Sequence, residues 1–149
     1  MLRIQSKFVP TYVNYAHYFQ SKGDEKNALK IIEKGLQEVP ESAGLYHVLG
    51  LWHIRQKEQG KALAALKHAA ELDSDNARYQ YVYAVALAEK DMSGAIAVLE
   101  ASLKKHTGDI QTLYGLAYYY KQIGQVKQAE HYQATADRLS RFVPNIEVE

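Results

Sequence analysis

Small residues return in this chain at a nearly constant interval. Ala16, Gly50, Ala84 and Ala117 are spaced 34, 34 and 33; Ala28, Ala62, Ala95 and Ala129 are spaced 34, 33 and 34. A third series, Gly35, Ala69, Ser102 and Ala136, keeps the same step. Bulkier residues hold register beside them: Tyr12, Tyr46, Gln80, Leu113; Tyr15, Leu49, Tyr83, Leu116; Ile32, Leu66, Leu99, Gln133. Within one period the apolar and small positions fall three or four apart, as in Tyr46, Leu49, Gly50, His53 and then Ala62, Leu66, Ala69, Leu72. That is the one-faced pattern of two amphipathic helices joined by a polar turn. A small side chain in mid-helix lets an antiparallel partner approach closely, because the distance between packed helices is set by the side chains at the crossing. Four such hairpins in tandem are expected.

A helix–turn–helix period near 34 with these three small series resembles the tetratricopeptide repeat. The resemblance covers about residues 9–143. It implies an all-α fold, a right-handed α-solenoid of four repeats, with each hairpin burying its faces against its neighbours. The expected units are a lead-in at 1–8, repeats at 9–42, 43–76, 77–109 and 110–143, and a tail at 144–149.

Local signals place the helices. Pro10 suits a first turn, where its missing N–H is not needed. Gly23 ends a helix over Thr11–Lys22, and Asp24 caps one over Glu25–Glu38. Pro40 stops that helix, and Ser42 caps the next, Ala43–Lys57. Gly60 is the expected tight turn before a helix running to Leu72. Asp73, Ser74, Asp75 and Asn76 are turn and cap formers ahead of Ala77–Lys90. Asp91 caps Met92–Lys105, Thr107-Gly108-Asp109 resets the chain for Ile110–Ile123, and Gly124 precedes Val126–Ser140. That last helix has a narrow apolar stripe (Ala129, Tyr132, Ala136, Leu139), with Gln133 where earlier copies carry a large apolar residue. A polar outer face is what a terminal repeat needs, so this helix is expected to act as its own cap. Leu2, Ile4 and Phe8 are expected to cover the flank of the first helix or to end a preceding repeat; residues 141–149 read as a frayed tail.

The 149-residue chain is 47% hydrophobic, with 18 basic and 17 acidic residues and a formal net charge of +1. Near-balance gives no broad pull toward nucleic acid or an anionic membrane, and no apolar run reaches the length of a membrane span. Cysteine is absent, which removes disulfides, thiolate nucleophiles and thiolate metal sites. Both reducing and oxidising compartments suit such a chain: the cytoplasm for a free-standing array, the periplasm for one cut from an exported protein. Six histidines (17, 47, 53, 68, 106, 131) show no HExxH spacing, and His17 and His47 read as polar groove residues without a metal. The glycines form neither a dinucleotide-binding nor a phosphate-binding loop, and no serine sits in a nucleophile elbow. No catalytic residue, cofactor or metal is expected, and the chain does not read as an enzyme.

What remains is surface. In arrays of the family it resembles, first helices line a concave face that takes an extended peptide or a partner helix. Carried onto this sequence, that face comprises Val13, His17 and Gln20; His47, Leu51, Ile54 and Arg55; Arg78, Tyr81, Val85 and Glu89; and Tyr114, Tyr118 and Lys121. Tyrosine offers large contact area at low entropic cost. Tyr81, Tyr114 and Tyr118 are expected to be exposed there, whereas Tyr12, Tyr15, Tyr46, Tyr83 and Tyr120 fill helix–helix seams. At the positions of the family's Lys/Arg/Asn clamp for a C-terminal carboxylate stand Val13, His17, Val48, Arg78 and Val82, so that clamp is missing. The partner is expected to be a protein or peptide, with no nucleic acid and no membrane insertion. A self-associating alternative works through the first repeat, whose outer flank (Tyr12, Phe19) is poorly covered. The runs Phe8–Asn14 and Asp75–Ala84 also resemble arrays that follow multihaem cytochrome domains in some bacterial proteins, which implies a docking module of a larger assembly.

Overall fold

The fold is that of a computed structural model, in which residues 8–142 are described. These form eight α-helices and no strand: α1 Val9–Ser21, α2 Glu25–Glu38, α3 Ala43–Arg55, α4 Gln59–Leu72, α5 Ala77–Ala88, α6 Met92–Lys105, α7 Ile110–Gln122 and α8 Val126–Ser140. The chain divides between Tyr79 and Gln80 into two compact units, with α5 beginning in the first and continuing in the second. In the first unit α1 packs on α2 and α3 on α4, and α3 also lies against α1 and α2. In the second, α7 packs on α8 and on α6.

The helix starts follow from side chains that accept otherwise unpaired N–H groups. Asp24 accepts from the Asn27 N–H (3.1 Å), Ser42 from Leu45 (3.2 Å), Asn76 from Tyr79 (3.0 Å) and Asp91 from Gly94 (2.9 Å). Asp109 accepts from both the Thr112 N–H (3.1 Å) and its hydroxyl (2.5 Å), which satisfies Thr112 inside the second unit, where it is fully buried. The same bonding from Asn27, first by its N–H and then by its side chain, holds the Asp24 carboxyl below the usual aspartate range.

Gly23 (φ 74°) and Gly124 (φ 78°) take the left-handed conformation at the turn inside their hairpins. In the α3–α4 turn that conformation falls on Lys57 (φ 59°), 34 residues after Gly23. Gly60, expected to be that turn, instead lies in the first turn of α4 with nothing near its absent Cβ. The α5–α6 turn is one residue shorter and has no left-handed residue.

All three small series are buried: Ala16, Gly50, Ala84 and Ala117; Ala28, Ala62, Ala95 and Ala129; Gly35, Ala69, Ser102 and Ala136. Gly35 sits where three helices meet, and a Cβ there would lie 2.9 Å from both Tyr12 of α1 and Leu45 of α3. In the first unit Ala16, Ile32 and Val48 form a core with Val13, Leu49 and Trp52 around it. In the second, Ala84, Ala95, Ile96, Leu99, Leu116 and Tyr119 do the same.

Ser102 is the one polar member of the third series, and its buried hydroxyl has no hydrogen-bond partner. Burying an unpaired hydroxyl costs free energy that alanine avoids. Ser102→Ala, the residue already present at the equivalent positions 69 and 136, is expected to stabilise the protein by about 1 kcal/mol. A urea midpoint that stays or falls would contradict this.

Candidate functional site

In the first unit, the expected face is built from α1, α3 and the first residues of α5. Val13 packs against the Ala16–Ile32–Val48 core. His17 is exposed, Gln20 and Leu51 are half-buried, and Ile54 is exposed. His47 stacks on the Tyr79 ring, 4.5 Å between centroids and 28° between planes, and its buried Nδ1 has no hydrogen-bond partner. Burial, with the Arg78 cation adding to it, pushes His47 down to about 4, so its imidazole is neutral at pH 7. Arg78 is exposed.

Arg55 is drawn sideways. Its Nε donates to the Glu25 carboxylate (3.1 Å), while the Trp52 indole N–H donates to the Glu25 backbone carbonyl (2.9 Å). Two residues of α3 thereby bracket the start of α2. No sequence signal marked this pair, because Glu25 lies 27 and 30 residues away and meets them only once α3 seats on α2. His53, which the periodicity placed among the apolar positions, is half-buried and lies 3.4 Å from Glu58.

In the second unit, Val85 (41% exposed), Tyr114 (36%) and Tyr118 (59%) present apolar surface, with Glu89 and Lys121 also exposed. Tyr114 donates its hydroxyl to Asp137 of α8 at 2.9 Å. Tyr81 is half-buried: its ring edge would be 3.1 Å from a Cβ on Gly115, so it packs on α7. Tyr120 donates to the Glu100 carboxylate, a bond which, with burial, pushes its phenol up to about 12.

The seam tyrosines divide. Tyr12, Tyr46, Tyr83 and Tyr120 are half-buried, but Tyr15 is 55% exposed, as is Tyr18 at 56%. The poorly covered flank of the first helix is therefore carried by Tyr15 and Tyr18, while Tyr12 and Phe19 are half-buried. Tyr15 shares the register of the buried Leu116, but no described helix precedes α1 to cover it. Phe8 is exposed. The covering role given to Leu2 and Ile4 falls outside the described residues, as does the tail from 143 onward. Val48, one of the clamp positions, is core.

Among the described residues no group of three or more His, Asp or Glu is placed to hold a metal ion, and no helix is long and apolar enough to cross a membrane. What the geometry offers, within each unit, is packed helix hairpins with aromatic and apolar side chains left exposed on their first helices. That is the construction of a helical-repeat interaction module. The sequence matches the tetratricopeptide repeat over residues 9–38, 43–76 and 110–142, and the chain belongs to that family. Its members are in general non-catalytic scaffolds that bind other proteins.

No functionally curated protein matches the sequence. Among solved structures, the chain is similar to a crystal structure of MamA (TM-score 0.78, 20% identity, 94% of this chain and 86% of that one). It is also similar to Pseudomonas aeruginosa pilF (TM-score 0.81, 22% identity, 92% of this chain and 63% of that one). A second MamA structure aligns over 99% of this chain and 81% of its own, with a TM-score of 0.76 at 20% identity. At these identities the likeness is one of fold. None of these is a multihaem cytochrome array, and the resemblance to such arrays finds no support.

Proposed function

We propose that this protein is a non-catalytic scaffold that binds a peptide or a partner helix on the face carried by its first helices. The third hairpin, residues 77–109, which the family match passes over, is on this reading a diverged repeat. The reading is carried by the exposure of Val85 and Tyr118 on first helices, each next to a buried small register residue, Ala84 and Ala117. Large apolar side chains left in water beside a packed scaffold are the usual mark of an interaction surface. Tyr114 and Lys121 flank the same surface; in the first unit His17, Leu51, Ile54 and Arg78 are the counterparts. Val13, Gln20, His47, Arg55, Tyr81 and Glu89 complete the proposed face, several of them by holding it in place.

The test is a displayed-peptide selection against the whole chain, followed by affinity measurement of the selected peptides. Val85→Ala with Tyr118→Ala is expected to weaken binding at least tenfold, since two truncated contact residues of about 1 kcal/mol or more each suffice. Both side chains are exposed, so the melting curve should stay in place. Peptides that bind the double variant as tightly as the wild type would refute the assignment of this face.

A further inference from the structure

A narrow cleft of about 510 Å³ runs between α7 and α8, lined by Ala117, Lys121, Val126, Glu130, Gln133 and Asp137 among others. Each of these lies 101 positions after a residue of the first hairpin: Ala16, Gln20, Glu25, Leu29, Ile32 and Leu36. In the first unit that hairpin surface is occupied. Leu45, Val48, Leu49 and Trp52 of α3 seat on it: Val48 joins the Ala16–Ile32 core, Leu45 reaches Gly35, and the Trp52 indole bonds to the Glu25 carbonyl. The positions 34 residues before those four are Thr11, Asn14, Tyr15 and Tyr18. These four line a shallow cavity of about 360 Å³ on the outer face of α1, where Tyr15 and Tyr18 are more than half exposed. Among the described residues no helix covers either half of the junction that the first unit builds between α3 and the α1–α2 hairpin.

We infer that the outer face of α1 in one copy seats in the α7–α8 cleft of a second copy, joining chains head to tail. Both halves have changed in the same sense. Leu, Val, Leu and Trp on the inserting helix become Thr, Asn, Tyr and Tyr, while Leu29, Ile32 and Leu36 on the receiving side become Glu130, Gln133 and Asp137. By the register of the internal junction, Asn14 faces Gln133, and the Tyr18 hydroxyl takes the place of the Trp52 indole over the start of the receiving second helix. The charges are complementary. The sequence of α1 contains no carboxylate, and Lys22, at its end, lies 5.9 Å over the Tyr18 ring. The cleft carries two carboxylates, Glu130 and Asp137, against one cation, Lys121; Asp137 already accepts from Gln133 (3.1 Å) and Tyr114. A junction of this composition is soluble when open and forms reversibly when closed, and salt weakens it. Because the two surfaces differ, the contact is heterologous and can repeat from copy to copy, as a closed ring or an open filament.

Sedimentation velocity of the full chain over a range of concentrations reads this directly. The weight-average mass of the wild type is expected to rise with concentration past that of a dimer, and to fall back on adding salt. The double variant Tyr15→Glu with Tyr18→Glu loses the inserting face, and Gln133→Arg fills the cleft. All three positions are exposed, so circular dichroism should show both proteins folded, and each alone should be monomeric. Mixed in equal amounts, the two should form a heterodimer and nothing larger, since only one intact face of each kind remains. A wild type that stays monomeric at every concentration overturns the inference and leaves both faces to some other occupant. A saturable dimer indifferent to these substitutions, or a mixture that stays monomeric while the wild type associates, also overturns it. Peptide capture by Val85 and Tyr118 is read separately, so failure here leaves that proposal intact.

Discussion

Gly50→Leu is expected to destabilise the protein by about 2–3 kcal/mol. A Cβ on Gly50 would lie 2.5 Å from Leu66 Cγ, 2.6 Å from its Cδ2 and 3.2 Å from its backbone nitrogen. The side chain cannot simply step aside: Leu66 is 1% exposed and packed in the α3–α4 seam, and the backbone nitrogen behind it belongs to a helix. The helix must therefore move away, opening the contact along its length. Leucine has a helix propensity better than glycine by somewhat under 1 kcal/mol, which offsets part of the cost. Urea denaturation should show the midpoint falling with little change in slope, as for a change in stability alone. A midpoint as high as that of the wild type would mean that α3 and α4 do not depend on the small crossing.

Acid sensitivity through His47 is the second large effect. In the unfolded chain this histidine titrates near 6.5; in the fold, burial first and Arg78 second lower it to about 4. A lowered value means that the folded state resists the proton. Stability from this group is therefore whole above pH 6.5 and is lost as pH falls toward 4, because the unfolded chain takes up the proton first. Below pH 4 both states are protonated and the loss levels off. The imidazole is only partly buried, so the contribution is about 1–2 kcal/mol after allowance for solvent screening. His47→Phe keeps a ring against Tyr79 and removes the titrating group, and it also relieves the unpartnered Nδ1. Its stability should exceed that of the wild type by a margin that grows between pH 6.5 and pH 4. A constant margin across that range would place His47 in water.

The residues that were legible in advance share one property: their roles are set by local spacing or by the repeat interval. Gly50 and Ala62 have to be small wherever two antiparallel helices cross at that register, whatever lies outside. Asp24, Ser42 and Asp91 cap because the N–H groups they satisfy are three residues away. Lys57 could have been read the same way, as the 34-residue echo of Gly23, but a lysine hides a left-handed turn that the nearby Gly60 falsely advertises.

Other roles depended on which helix stands next to which. Tyr15 occupies the register of Leu49 and Leu116, yet it is exposed while Leu116 is buried, because no described helix precedes α1. Tyr81, expected to be exposed on the groove, is half-buried because its ring packs on Gly115 of α7. Arg55, expected to be a groove charge, donates to Glu25, a partner it meets only because α3 seats on α2.

The helices, most of their starts and the small crossings were thus written into the order of residues, since a period and a cap are properties of neighbours along a chain. Exposure, the His47–Tyr79 stack and the Trp52–Glu25–Arg55 bracket arose only on packing. Burial and pairing belong to surfaces brought together from distant segments, and identical register positions acquire different environments according to whether such a surface arrives.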